Sequence, residues 1–220
     1  MRQWVTRGMR ATVRTRRPWT EAIPDRDERR RLKRQAILDQ AARLFYQRGY
    51  HETTLDDIAA ALAVTKPTLY YYVRSKEDIL VQILSDALAF ARATFDAAHR
   101  EGGDGLARLR IFARRYVEAM TLPPGRCLLT MRATPLAPKT RAQLNASFRQ
   151  MDTLARELIE EGIADGSIAP CDVRMAAFAL FGAINTVPFW FHDEGSMSAS
   201  EAGDALFAIV ERALTAHSST

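Results

Sequence analysis

Lys66, Thr68, Tyr70 and Tyr72 put a cation, a hydroxyl and two phenols into a stretch of seven residues. Groups of this kind donate to phosphate oxygens and touch base edges and thymine methyls in a nucleic-acid groove. Leu69 and Val73, four apart, are expected to face inward with Val64, while Tyr71 falls on the flank that Pro67 begins. The competing interpretation is a solvated helix end with ordinary aromatic packing. It leaves two tyrosines exposed on a helix of about two turns, so the groove chemistry accounts for the set better.

The elements that would position these groups are legible on either side. Leu55, Ile58, Ala59 and Leu62 recur at three- and four-residue steps, which puts them on one face of a helix. Thr54 is its N-cap, and Asp56 and Asp57 suit the positive end of its dipole. The pattern breaks at Ala63-Val64. Thr65 then caps a second helix with Pro67 in its first turn, where a missing N–H costs no helix bond, and Arg74-Ser75 stops it. Two short helices across a turn of this length are a helix-turn-helix, whose second helix enters the major groove of double-stranded DNA. A preceding helix from about Asp27 carries the stripe Ile37, Ala41, Leu44, Phe45 and ends at Gly49, with Arg43 and Arg48 off the stripe. A following helix runs unbroken from Lys76 to roughly Arg100.

The segment resembles the DNA-binding domain of TetR-family regulators. The residues that carry the resemblance are Gly49-Tyr50, Thr54, Asp57-Ile58-Ala59, Val64-Thr65-Lys66, Thr68-Leu69-Tyr70 and Ser75-Lys76-Glu77. It implies that Thr54 both caps its helix and touches phosphate, that Lys66, Thr68, Tyr70 and Tyr72 face the groove, and that Lys76 reaches the DNA backbone. Thr65 and Pro67 complete the expected DNA-binding set. Pro67 stands where many members carry glycine or alanine, and Tyr72 where histidine is frequent; both leave the fold intact and alter the base contacts. Repression of an operator is the family's usual mode.

Charge is unevenly placed. Residues 1–34 hold twelve Lys/Arg against four acids, a local +8; with +5 overall, the remainder carries −3. The basicity therefore belongs to an N-terminal arm, expected over residues 1–25, suited to phosphate attraction and broken by Pro18 and Pro24, with Met9 as an alternative start. The reading head spans 26–75. The 220 residues, 47% hydrophobic, leave 76–220 for a larger helical body. Patterns recur over about 104–121, 126–133, 138–164, 172–191 and 199–216, giving an all-α chain of about nine helices.

A body without catalytic groupings behind a DNA-reading head is expected to sense a small apolar effector in a cavity between helices. The candidate lining is Phe112, Tyr116, Leu128, Met131, Phe148, Met151, Phe178 and Asn185, the last a polar amide among aromatics that needs a partner. Gly182-Ala183-Ile184-Asn185 followed by Trp190 resembles the C-terminal helix of acyl-CoA-responsive members. A ligand-independent or redox-responsive regulator and a sensor of an unrelated hydrophobic drug stand as alternatives. A two-turn reading helix touches few base pairs, so a homodimer is expected, with half-sites about 34 Å apart or a small multiple of that. The pairing surface would be the last two helices, through Ala176, Ala177, Ala179, Ala183, Ala205 and Ala208 with Phe181, Phe207 and Ile209.

Other classes fit less well. His51, His99, His192 and His217 lie in unrelated segments, no nucleophile motif or phosphate loop is present, and Asp193-Glu194 sits in a turn, so no enzyme is expected. Cys127 and Cys171 lack metal-site spacing, so no metal or cofactor is expected. No uninterrupted run of eighteen apolar residues and no secretory h-region argue for a cytoplasmic chain without a membrane partner. A nucleoid-type protein would explain the basic arm but not the large apolar body.

Overall fold

A computed structural model describes residues 25–216, so the basic arm, Asp25 excepted, lies outside the described residues. Among these, ten helices and no strand occur: α1 Arg26–Arg48, α2 Leu55–Ala61, α3 Lys66–Tyr70, α4 Lys76–Glu101, α5 Gly105–Thr121, α6 Pro123–Thr130, α7 Pro138–Asp165, α8 Val173–Ile184, α9 Val187–Trp190 and α10 Ala199–Thr215. The expected helix over 172–191 is two. Pro188 lacks an N–H, and its ring clashes with the carbonyl four residues back, so the chain breaks at Asn185-Thr186 into α8 and the short α9. α6 also begins earlier than expected. The prolines that read as a separator occupy its first turn, where proline is tolerated. Gly125 then permits contact with α5: a Cβ there would sit 2.3 Å from the Ala119 carbonyl oxygen.

The apolar side chains form two clusters. In one, Leu109, Phe112, Tyr116 and Val117 of α5 pack with α7, α8 and α10. The other gathers Ile37, Leu38, Phe45, Ile58, Leu69, Val73, Ile79 and Leu80 of α1 to α4. It also takes in Cys127, Leu128, Met131 and Leu144 from α6, its C-cap and α7. The head's core is therefore closed by side chains from the body. Polar ties cross the same junction: the Tyr46 hydroxyl donates to the Pro188 carbonyl at 3.3 Å, and Arg34 pairs with Asp86 at 3.1 Å.

α8 and α10 bury one face and leave the other bare. Ala177, Leu180 and Ile184 turn inward while Met175, Phe178 and Ala179 are exposed. On α10, Phe207 is buried and Ile209 is 67% exposed beside exposed Ala205. Phe207 and Ala177 thus belong to the protomer's own core, and Phe181 packs edge-on against Tyr116 at 5.4 Å. These three are removed from the expected pairing surface. The stretch Val173–Trp190 has a mean hydropathy of 1.3, apolar enough by composition to cross a bilayer, yet only 28% of it is buried. The break at Asn185-Thr186 leaves α8 twelve residues long, about 18 Å, short of a hydrocarbon core of roughly 30 Å.

Candidate nucleic-acid interface and internal cavities

The turn between α2 and α3 is a Schellman closure. Val64 N–H donates to Ala59 O and Ala63 N–H to Ala60 O, each at 3.0 Å, with Ala63 left-handed at φ +53°. The reversal turns Val64 outward, 37% exposed, against the expectation that it faces the core. Thr65 caps α3, its hydroxyl oxygen accepting from Thr68 N–H and lying 2.8 Å from the Thr68 hydroxyl. Lys66, Pro67 and Thr68 are exposed, and Tyr70 is half exposed, on a helix whose only buried side chain is Leu69. In the unbound chain the Lys66 ammonium is 2.7 Å from Asp56, an exposed pair that DNA phosphates can displace.

Three of the expected contacts look different in the fold. α3 ends at Tyr70, so the helical angles that put Tyr72 outward and Tyr71 on a flank no longer apply: Tyr71 is 59% exposed and Tyr72 is half-buried against the head core. Thr54 is a capping box with Asp57. Its N–H and its hydroxyl both donate to Asp57 Oδ2, at 2.8 and 2.6 Å, which holds that carboxyl below its usual range and leaves no Thr54 donor over for phosphate. Lys76 points inward. Its ammonium donates to the carbonyls of Tyr50, His51 and Thr53 at 2.7, 3.2 and 2.9 Å and lies over the Tyr50 ring. It clamps the α1–α2 turn rather than reaching for DNA, and desolvation lowers its pKa.

The neighbour of the reading helix carries no signal in local spacing. Arg26, Arg29, Arg30 and Lys33 of α1, with one acid, Asp27, line a groove with Tyr71 and Tyr72, and the Arg30 guanidinium lies 5.3 Å from the Tyr71 ring centre. Four cations flanking α3 extend the positive surface along what would be a phosphate track.

Two partly open cavities border the helical body. Cavity A, about 400 Å³, is lined by Tyr116, Phe148, Met151, Phe178, Phe181 and Asn185 with Arg132, Arg149, Asp152 and Gly182. Five of the eight candidate residues meet there. The other three do not: Phe112 is sealed in the body core behind Tyr116, and Leu128 and Met131 are drawn into the head cluster. Asp152 is paired with Arg156 at 2.6 Å, whereas neither Arg132 nor Arg149 meets a carboxylate among the described residues. The Asn185 side-chain oxygen is buried there without a hydrogen-bond partner among the described residues. Sequence periodicity found the apolar wall but passed over the two arginines, each of which directly follows a candidate residue. Cavity B, about 250 Å³, lies between α1, α4, α5 and α6 and shares Tyr116 and Met151 with cavity A.

The two cysteines lie apart from these cavities. Cys127 is buried, which pushes its thiol up to about 12, and a thiol so held has little thiolate for redox chemistry.

The helix-turn-helix with its basic flank, set on a cavity-bearing helical body, defines a ligand-responsive DNA-binding regulator. The family model described as bacterial regulatory proteins, tetR family, matches residues 37–83, and that of the tetracyclin repressor-like C-terminal domain matches residues 102–214. The chain belongs to the TetR family of transcriptional regulators. It is similar to the regulator PfmR from Thermus thermophilus, at 31% identity over 80% of this chain and 97% of that one, TM-score 0.68. A structure of AibR in complex with isovaleryl coenzyme A and operator DNA shares 27% identity with the same coverage and TM-score. The fatty acid metabolism regulator protein of Bacillus subtilis (strain 168) is 24% identical over 168 residues, 74% of this chain and 86% of that protein.

Proposed function

We propose that this repressor works in the cytoplasm as a homodimer and leaves its operator on binding an acyl thioester of coenzyme A, or an equivalent anionic amphiphile, whose head lies in cavity A. The observation that carries the reading is an aromatic wall beside two arginines that meet no carboxylate among the described residues, Arg132 lying over the Phe148 ring, together with an orphaned Asn185 oxygen. An acyl chain suits Tyr116, Met151, Phe178 and Phe181, and phosphates suit Arg132 and Arg149. A buried acceptor without a donor costs about 1–3 kcal/mol. The amide N–H groups of a pantetheine arm supply that donor, whereas a free fatty acid carboxylate does not. The similarity to AibR, whose complex holds isovaleryl coenzyme A, points the same way.

On this reading the DNA is gripped by Thr65, Lys66, Pro67, Thr68 and Tyr70, joined by Tyr71 and the α1 cations, with Tyr72 and Thr54 supporting the reading helix from behind. The dimer forms through Met175, Phe178, Ala179, Ala205 and Ile209 on the bare faces of α8 and α10. The test is fluorescence anisotropy of a labelled operator, taken from DNA footprinted beside the gene, titrated with coenzyme A esters, free fatty acids and coenzyme A alone. Long-chain esters should release the DNA at concentrations at least tenfold below those of the matching acids, and Arg132→Ala with Arg149→Ala should remove that preference. Equal potency of acid and ester overturns the assignment of the headgroup.

A further inference from the structure

Cavities A and B share two lining side chains. Tyr116 and Met151 line both, and the Tyr116 hydroxyl, fully buried, reaches the Met151 sulfur at 3.9 Å as its one hydrogen-bond partner among the described residues. That contact is weak, and methionine is the most adaptable of apolar side chains. The Tyr116–Met151 contact is therefore a soft point common to both chambers. The two chambers also differ in polarity. Arg132 and Arg149 border A, while the charged group bordering B is Asp86, already held by Arg34. An anion-headed ligand can lie across them in one direction only, head in A and tail towards B. Chamber A alone is near the lower end of ordinary ligand sites, and the two together, about 650 Å³, are well inside that range.

What lies at the far end of B gives that contact its consequence. Its walls include Gln35 and Leu38 of α1 and Ile83 of α4, and Leu38 and Ile83 belong to the core of the reading head. We propose that Tyr116 and Met151 form a gate that makes the response depend on tail length. Short tails fill A and bind without releasing DNA; longer tails displace Met151, enter B and wedge α1 against α4. This rests on the effector class proposed above and goes beyond it, because it separates binding from response.

The test measures the two separately, with butyryl-, octanoyl- and palmitoyl-coenzyme A as probes: calorimetry for binding to the full chain, operator anisotropy for release. All three should bind, and only the longer tails should weaken operator affinity tenfold or more. Ala87→Leu and Ala119→Leu fill B from opposite walls, and melting curves identify which variants are folded. Either one should keep butyryl binding and lose at least tenfold of the palmitoyl response, while Met151→Ala should let a shorter tail release DNA. Equal release by all tails, or an undiminished palmitoyl response in a folded filling variant, overturns the gate and leaves the effector class standing. Failure of every ester to bind overturns both.

Discussion

Tyr70 and Leu69 are neighbours on a single turn of helix, yet one is half exposed and the other is sealed in the head core. Their truncations should separate recognition from folding. Tyr70→Ala is expected to weaken operator binding at an unchanged melting midpoint, while Leu69→Ala should cost about 2–4 kcal/mol of stability through the cavity it leaves. Operator affinity untouched by Tyr70→Ala would remove α3 from the groove. The inward positions were readable because four-residue spacing survives any short helix. Tyr71, Tyr72 and Val64 were not, because their directions depend on where α3 stops and on the left-handed Ala63 before it. Lys76 was hidden for another reason: its three carbonyl partners lie 23 to 26 residues upstream, and no local spacing announces a clamp of that reach.

At the scale of elements, the far end of the body carries a clasp that titrates. His99 near the end of α4 faces two acceptors, the Phe95 carbonyl at 3.0 Å and the Glu161 carboxylate of α7 at 2.9 Å. Both ring nitrogens have an acceptor to donate to only when the imidazole is doubly protonated. The Phe95 carbonyl first, then Glu161, raises the His99 pKa above its ordinary 6.5, with Arg108 beside Glu161 opposing. A raised pKa stabilises the fold fully below about 6.5, and that contribution is lost as pH rises through the folded value. The melting midpoint should therefore fall as pH rises above 6.5, and His99→Gln should flatten that slope; an identical slope in the variant would exclude the clasp. Long helices such as α4 and α7 were legible from unbroken periodicity. The pairing of His99 with a residue 62 positions away was not. The start of α6 and the break before α9 were misjudged because proline opens helices as readily as it ends them.

The molecule as a whole has an unfinished surface. Exposed Met175, Phe178 and Ile209 lie on α8 and α10, the apolar area that the proposed dimer would bury about a two-fold axis. Ile209→Arg should convert a micromolar dimer into monomers in sedimentation, lower the melting midpoint and weaken operator binding together, since mass action couples all three. A variant that stayed dimeric would move the interface elsewhere. Phe178 lines cavity A and is also half exposed, so whatever fills the cavity adjoins the surface proposed for the dimer. The all-α architecture and the existence of a cavity could be read from pattern alone. Which face of each body helix turns towards the head could not, and that choice took Leu128 and Met131 out of the cavity.

The borrowed side chains of the head core bear on how such regulators can be recombined. Cys127, Leu128, Met131 and Leu144 close the apolar cluster of α1 to α4, yet they lie 50 residues or more beyond the start of α4. A chimaera spliced at the start of α4 would graft a foreign α6 under this head and leave Ile37, Leu38 and Phe45 against side chains of the wrong shape. To rewire this protein as a biosensor with a new operator, α6 and the start of α7 would have to travel with the DNA-reading segment. The unit of exchange is a surface defined by packing, not an interval of sequence.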